Sequence, residues 1–479
     1  MDQPASHQRQ FGPDTSRKFC AFAGLAFCLL FPSCGVIQKY FGNVGLLIYL
    51  VAATALLWFA YRYLCELLFS RLSERQAVYI VLLTFVALVA IFAIVYPKAN
   101  VHISGRGSDA DDGLNLAVNE LLNGRYPYSA RTYLDNPISP LPGAVLLAIP
   151  FVLLGSSAYQ NLFWLGVFCF VLSRMMQSWR GTLILFWTIL IFSPVIMNDV
   201  VTGGDYPTNT IYVLVFMSLT LCWGSRADSP WWEKLLTALL LGIGLSSRAN
   251  FLLVMPQLFA ALSIKAGWRA ALRYVAVAVA AFAAVTVPFW IHDPAGFTPL
   301  HAQAHKVAEF QTILPFAGLV VPALGGCIAL VLAWRSLKLR RETWLRDCAI
   351  VQAFLVICVA TLAAIQTGTL SLTSTSYGVF FLFFGVLAFG PKMFEPAPGA
   401  KSARGGFAQK VDPIWNEPVS TGNAGALARY EREARKSYSV KKVEIERAPH
   451  ASAGEGARAP SISLSLAAAP LFGQGRARW

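Results

Sequence analysis

The chain is poor in charge. Asp, Glu, Lys and Arg make up only 13% of its 479 residues, with 25 acids against 39 basic residues, while 56% of positions are hydrophobic and the mean hydropathy is +0.54. That composition excludes a water-solvated domain and makes lipid the main solvent. Paired cysteines are also missing. Cys20, Cys28, Cys34, Cys65, Cys169, Cys222, Cys327, Cys348 and Cys358 all fall in or beside apolar runs, with no CxxC or Cys/His metal spacing. A disulfide framework and a zinc site are therefore disfavoured, and the thiols read as packing residues. No internal repeat stands out, which argues against a transporter built from duplicated halves.

What is present is a series of apolar runs near the roughly 20 residues needed to cross about 30 Å of hydrocarbon. Only helices satisfy their backbone groups there without a closed barrel, so the predicted fold is all-α, a polytopic helical bundle. The expected crossings lie at about 19–37, 41–64, 77–97, 158–178, 181–198, 207–224, 234–248, 249–264, 270–291, 312–334, 347–366 and 370–390. The first follows Arg17 and Lys18 but is long for a secretory signal and has no small-residue cleavage site, so it reads as a retained helix.

A net charge of +14 invites a nucleic-acid reading, but the basic residues sit in short loops and the C-terminal tail. Topology explains them better, because Lys and Arg stay on the cytoplasmic side. Inside segments are then the N-terminus, 62–75, 174–180, 225–234, 265–273 and 335–346. Both termini face the cytoplasm. For the rule to hold, the apolar stretch 137–157 must be interfacial or re-entrant rather than a full crossing. The chain thus divides into N-terminal helices 1–97, an outer loop 98–157 with two surface helices, a bundle 158–390 with a second outer loop 292–311, and a mostly disordered basic tail 391–479. Within the tail, 426–448 reads either as a helix resting on anionic lipid or as solvated chain, with the solvated reading favoured.

The first outer loop, Ser104 to Pro142, is the most polar insert in this half of the chain. Leu114, Ala117, Val118, Leu121 and Leu122 recur on one helical face, opposite Asp111, Asp112, Asn115 and Asn119. The pattern predicts a helix lying on the membrane surface, with Ser108 as N-cap and Gly124 as C-cap. Asp111 and Asp112 read equally well as helix-start carboxylates and as reactive groups. Asp109 stands before the helix, in a glycine-rich approach, free to point into a cavity.

From Asp109 the order runs to Gly124, then Tyr126-Pro127-Tyr128, then Pro137, Pro140 and Pro142 before an apolar segment. Further on come Gly203-Gly204-Asp205-Tyr206, Ser247-Arg248-Ala249-Asn250 and Pro288-Phe289-Trp290 leading to His292, Asp293 and Phe297. Over 77–310 this resembles the GT-C glycosyltransferases, bacterial mannosyl- and arabinosyl-transferase-like enzymes of the inner membrane. It departs from their pattern in placing Gly113 where an aromatic is common, and three spans rather than one before the loop. The resemblance implies transfer of a sugar from a polyprenyl-phosphate donor to a lipid or glycan acceptor, on the periplasmic face and with inversion. Asp109 is the implied general base, with Asp111 and Asp112 beside it.

The leaving phosphate needs a cation, and Arg248 leads. It reads otherwise as an arginine snorkelling to the interface. Arg106, Arg125 and Arg131 are alternatives within the loop, where exposed arginines are commonly just solvated. Asp205 either orients the acceptor, pairs with Arg248 or fills a turn. Tyr128, His292 and Asp293 are candidate substrate contacts, and the tyrosines are equally suited to be interfacial anchors. No metal site is assigned: His301 and His305 have i,i+4 spacing but no HExxH glutamate. No cofactor follows from the residues, and a divalent cation is left open. Nucleic acid is not an expected partner. A transporter or flippase of a lipid-linked or polar solute is the main alternative, and an accessory membrane subunit the third.

Overall fold

The computed structural model describes residues 13–102, 108–226, 228–301, 309–369 and 372–391. Among them there are helices and no strands, only an isolated bridge between Arg131 and Pro137. The all-α expectation holds. Seven helices are long and apolar enough to cross a membrane, or eight if the bent pair Trp179–Phe192 and Pro194–Thr202, kinked by 81°, counts as one span. Length and apolarity alone therefore do not reach the twelve crossings read from the sequence.

The shortfall has three sources, one being that the 18-residue helix Tyr159–Met176 is not apolar enough to count among the seven. Several apolar helices are short: α11 (Trp231–Leu245) has 15 residues and the last helix, Val379–Phe389, has 11. In addition, the run Lys18–Leu64 is continuous in helical character yet folds back. Gly42 takes φ 68°, where a side chain would be strained, inside α2 (Cys34–Phe59). The ring of Phe22 in α1 (Pro13–Leu30) lies 4.9 Å from that of Trp58. A straight helix would hold those residues about 54 Å apart.

Surface composition agrees with a lipid surround. In α4 (Glu74–Ala99) only 17% of the apolar window is buried, and Tyr79, Leu83 and Val86 are each more than 60% exposed. Such outward apolar helices are stable only where the solvent is itself apolar. By contrast α10 (Tyr206–Ser225) is buried along most of its length and packs on α7 (Tyr159–Met176), on α11 and on the last helix. Tyr212, Phe168, Phe381, Phe383 and Phe384 fill the core around it. Here aromatic volume, rather than water exclusion alone, fixes the packing.

The outer loop folds as two stacked helices, α5 (Asp112–Leu122) and α6 (Pro142–Leu153). Leu114, Ala117 and Val118 of α5 meet Ile138, Leu141, Ala144, Val145 and Ala148, with Tyr128 and Phe297 closing the cluster. Of the predicted apolar face Leu114, Ala117 and Val118 are buried, but Leu122 is 51% exposed, and Asp111 and Asp112, expected on the polar face, are buried because the helix start is tucked against the bundle. At 12 residues α6 spans about 18 Å, too short to cross alone. One capping expectation fails: the helix begins at Asp112, not just after Ser108, whose Oγ accepts from the Ala110 amide 3.2 Å away. The serine bonds two residues ahead instead, making a turn that precedes the helix. Gly124 does adopt φ 70° just past the helix end. The tail segment 426–448 lies outside the described residues, as do Arg106 and His305.

Candidate functional site: two acidic groups at one end of the bundle

Asp111 is fully buried where α4, α5 and the 156–157 turn meet. One of its oxygens, Oδ2, accepts from Tyr96 Oη (2.5 Å), Asn115 Nδ2 (2.8 Å), Asn100 Nδ2 (3.2 Å) and Ser156 Oγ (3.3 Å). Ser157 adds a bond from its Oγ to the Asp111 carbonyl, and its amide donates to Asn115 Oδ1. Gly203 covers the knot: a Cβ there would sit 2.8 Å from the Asp111 Cβ, on a backbone already at φ 77°. Asp111 thus joins the loop to the bundle, and nothing outside the protein can reach it.

Asp109 and Asp112 lie on the other side of the same turn. Asp109 is half-buried, and its Oδ2 accepts from Thr132 Oγ1 and Asn136 Nδ2, each at 2.8 Å. Both donors come from a tight reversal over 131–137, closed by Thr132 N to Asn136 O at 3.0 Å with Asp135 at φ 62°. Asp112 is buried, with Oδ1 3.3 Å from His102 Nε2 and Oδ2 without a hydrogen-bond partner among the described residues. The His102 ring stacks on Tyr133 at 4.2 Å. Burial raises the Asp112 carboxyl above its ordinary range; His102 opposes this, while Asp111 and Asp109 reinforce it.

The second group is dry. Arg248 Nη2 donates to both oxygens of Asp205, at 2.7 and 2.6 Å, and Nη1 donates to Ser139 Oγ at 3.2 Å. The guanidinium also lies over the Tyr206 ring, 5.3 Å from its centroid. Asn209 Nδ2 donates to Asp205 Oδ2 at 2.9 Å. Arg248 is the only buried arginine among the described residues, and its charge is met by the Asp205 carboxylate. Of the readings open for Asp205, pairing with Arg248 is the one observed.

Arg248 sits in a break: α11 ends at Leu245, and a 3₁₀ turn over Ala249–Val254 leads into α12 (Met255–Ala266). The start of α6 docks on the backbone exposed there. Leu141 N donates to Ser247 O (3.0 Å) and Gly143 N to Ser246 O (2.8 Å). Only glycine fits at 143, where a Cβ would lie 2.1 Å from the Ile243 carbonyl oxygen. The helix start signalled by three prolines is thus placed by main-chain bonds to the break.

Short stretches tie the two groups together. Thr132, which holds Asp109, is seven residues from Ser139, which holds Arg248; Gly203, which covers Asp111, is two residues from Asp205. Tyr128 is buried, its hydroxyl without a partner among the described residues and its ring edge-on to Phe289 and Phe297. Burial lifts its pKa well above the usual phenol value, and the nearby Arg248 lowers it in part. Tyr126 Oη donates to the carbonyls of Phe289 (3.0 Å) and Asp293 (3.3 Å), fastening the loop to the end of α13 (Trp268–His292).

The other candidates stand apart. Arg125 is exposed and pairs with Glu120 at 2.8 Å on the outer face of α5. His292 is exposed against the Tyr126 ring, 5.1 Å away, and Asp293 Oδ1 caps the turn at the Gly296 amide, 2.9 Å distant. His301 bonds the Pro294 carbonyl at 2.9 Å. Sequence reasoning missed His102, Thr132, Asn136 and Ser139. Only the Asn136-Pro137 turn signal pointed toward this neighbourhood. The chain matches no family model, no curated protein and no solved structure.

Proposed function

We propose that the chain is a GT-C-like membrane glycosyltransferase, taking a sugar from a polyprenyl-phosphate donor to an acceptor hydroxyl, with Asp109 as general base. One observation carries the choice among the three loop acids. Asp111 and Asp112 are buried, each with one carboxylate oxygen that has no partner among the described residues, whereas Asp109 is part-exposed and, among the described residues, takes its hydrogen bonds on Oδ2 alone. Its Oδ1 is left for a substrate proton, and position precedes pKa in choosing a base. Thr132 and Asn136 fix the carboxylate's orientation.

In the proposed step Asp109 takes the proton of the acceptor hydroxyl as that oxygen bonds to the anomeric carbon. The bond from that carbon to the phosphate oxygen breaks, and its electron pair leaves with the lipid phosphate. A single displacement inverts the anomeric centre. Arg248 is the proposed counter-charge for the leaving phosphate, acting across Ser139, with Asp205 keeping it in place. Tyr128 lies beside it as a buried donor. No step is routed through a metal. Twelve crossings, cytoplasmic termini and a periplasmic site in a bacterial inner membrane belong to the same reading, which takes the 18-residue α7 and the shorter apolar helices as spans and the first run as two.

The test uses membranes carrying the full chain, a labelled polyprenyl-phosphate mannose or arabinose, and the native membrane lipids as acceptors. Asp109→Asn should lower transfer by roughly 10²- to 10⁴-fold, the usual contribution of a general base, while the protein stays abundant in the membrane. Undiminished transfer by that variant ends the assignment. A second reading has its own observation: a helix broken at Ser246–Arg248 around a buried ion pair is also how solute transporters build their sites. Solute uptake lost on Arg248→Met, with no glycosyl product from the wild type, would favour it.

A further inference from the structure

The 3₁₀ turn that follows Arg248 packs against α14 (Ala317–Leu339) and α15 (Trp344–Thr367). Gln352 of α15 is 1% exposed and faces this turn. Its Nε2 donates to the Asn250 carbonyl at 3.0 Å, and its Oε1 accepts from Asn250 Nδ2 at 2.7 Å. One carboxamide thus meets both the main chain and the side chain of the residue two positions past Arg248. The preceding flank is tied as well, by the α6 amides on the carbonyls of Ser246 and Ser247 and by the Ser246 hydroxyl, which bonds Thr286 Oγ1 at 2.8 Å.

A helix that breaks within a membrane frees main-chain groups that lipid cannot satisfy, so the protein must supply their partners. Gln352 does so at Asn250. Side-chain hydrogen bonds between membrane helices add little to stability on average. The contact therefore matters less for holding the bundle together, which its aromatic core already does, than for fixing the path of one turn. Packing restrains the same turn: a Cβ added at Gly325 of α14 would lie 3.2 Å from Leu253 Cδ1 and 3.0 Å from Leu355 Cδ2. With both flanks fastened, the main chain at Arg248 has one course, and the guanidinium is aimed at Asp205 and Ser139.

We propose that Gln352 is a positioning residue for Arg248, its carboxamide clamping the turn at Asn250 so that the guanidinium is held where charge develops on the leaving phosphate. This role rests on the transfer reading above. A group that stabilises developing charge works best when it is already oriented and does not reorganise during the reaction. A displacement of about 1 Å, transmitted from outside the site, can cost roughly 10²-fold in rate.

Membranes carrying the full chain, with labelled polyprenyl-phosphate mannose, give the rate at saturating donor and the donor KM for two variants. Gln352→Leu removes both bonds. It should lower the rate per folded molecule by roughly 10- to 10²-fold and change KM less than about threefold, the mark of an interaction made in the transition state. Gln352→Glu should bring the rate back to within about threefold of the wild type, because a carboxyl kept neutral by burial offers one donor and one acceptor as the amide does. Hydrogen exchange in detergent reads the clamp without turnover: the amides of 249–255 should exchange at least about tenfold faster in Gln352→Leu, and those of α5 at the wild-type rate. An unchanged rate in the leucine variant, a glutamate variant equally slow, or faster exchange spread through the whole bundle would each overturn the positioning role. Absence of transfer by the wild type would overturn the transfer reading instead, and unchanged exchange over 249–255 would overturn the clamp whatever the chain's activity.

Discussion

Asp205 meets a cation inside the bundle, with both its oxygens on one guanidinium nitrogen and an asparagine on its flank. Asp109, held at a half-exposed turn, meets only neutral donors among the described residues, which leave one of its oxygens outside that network. Both acids lie at the same end of the molecule, linked through 132–139, yet their surroundings ask different things of them. A buried pair can bring two helices and a loop into one register, because breaking it exposes a charge to a medium that cannot solvate it. A partly wet carboxylate adds little to stability and stays available for a proton. The comparison teaches where to look for chemistry in this chain: not at the strongest electrostatic contact but at the weakest one that is still well oriented.

The sharpest way to break the comparison is to remove one member of the dry pair. Asp205→Asn or Arg248→Met alone should each destabilise by about 3–5 kcal/mol, the cost of leaving a buried partner uncompensated. The double variant Asp205→Leu with Arg248→Met should recover most of that loss, since a well-packed apolar substitute avoids desolvating either charge. Thermal unfolding of the purified protein in a single detergent gives both numbers. Silent single variants would mean that the pair is solvated, and the contrast with Asp109 would vanish.

The next effect concerns Asp111, which shares the loop with Asp109 but the environment of Asp205. Asp111→Ala strands the donors on Tyr96, Asn100, Asn115 and Ser156, and should cost about 1–3 kcal/mol. Gly203→Ala attacks the same knot from the opposite wall. Its Cβ would lie 2.8 Å from the Asp111 Cβ and 3.0 Å from that of Ala158, on a left-handed backbone, so about 2 kcal/mol is expected. Thermal midpoints check both, and Asp109→Asn in the same series should change the midpoint little, as a surface-side substitution does.

Those residues also show what could be read in advance. The buried face of α5, the left-handed Gly124 and the proline-marked start of α6 were legible because each is a local matter of period or backbone preference. Pairing of Arg248 with Asp205 was one of several options, since a membrane-embedded cation needs a partner but sequence does not say which. The knot at Asp111 was hidden. Its donors come from 15 residues upstream and 45 downstream, at Tyr96 and Ser156, and no spacing rule joins them. For the same reason Thr132 and Asn136 could not be matched to Asp109, and the Ser108 cap was misplaced because a serine bonds as readily within a turn as at a helix start. Run length divides the first apolar stretch between 37 and 41, but it does not show that helical character continues through the turn at Gly42.

The smallest effect separates the two carboxylates on the wet side. Asp112 is more deeply buried than Asp109, and burial, with Asp111 and Asp109 reinforcing it, raises its pKa against the pull of His102 and the Tyr133 amide. An acid whose folded pKa exceeds its unfolded one keeps a proton that the unfolded chain has already released. Stability therefore falls as pH climbs from about 4, the unfolded value, through the folded value, and stays lowered above it. Asp112→Asn removes that penalty: its thermal midpoint should exceed the wild type's at neutral pH, and the gap should close near pH 3, where both chains are uncharged at this position. His102→Ala sharpens the test, because deleting the opposing imidazole should deepen the wild-type loss and leave the asparagine variant indifferent. A gap independent of pH would show that Asp112 titrates like an exposed acid, and the distinction between it and Asp109 would then rest on position alone.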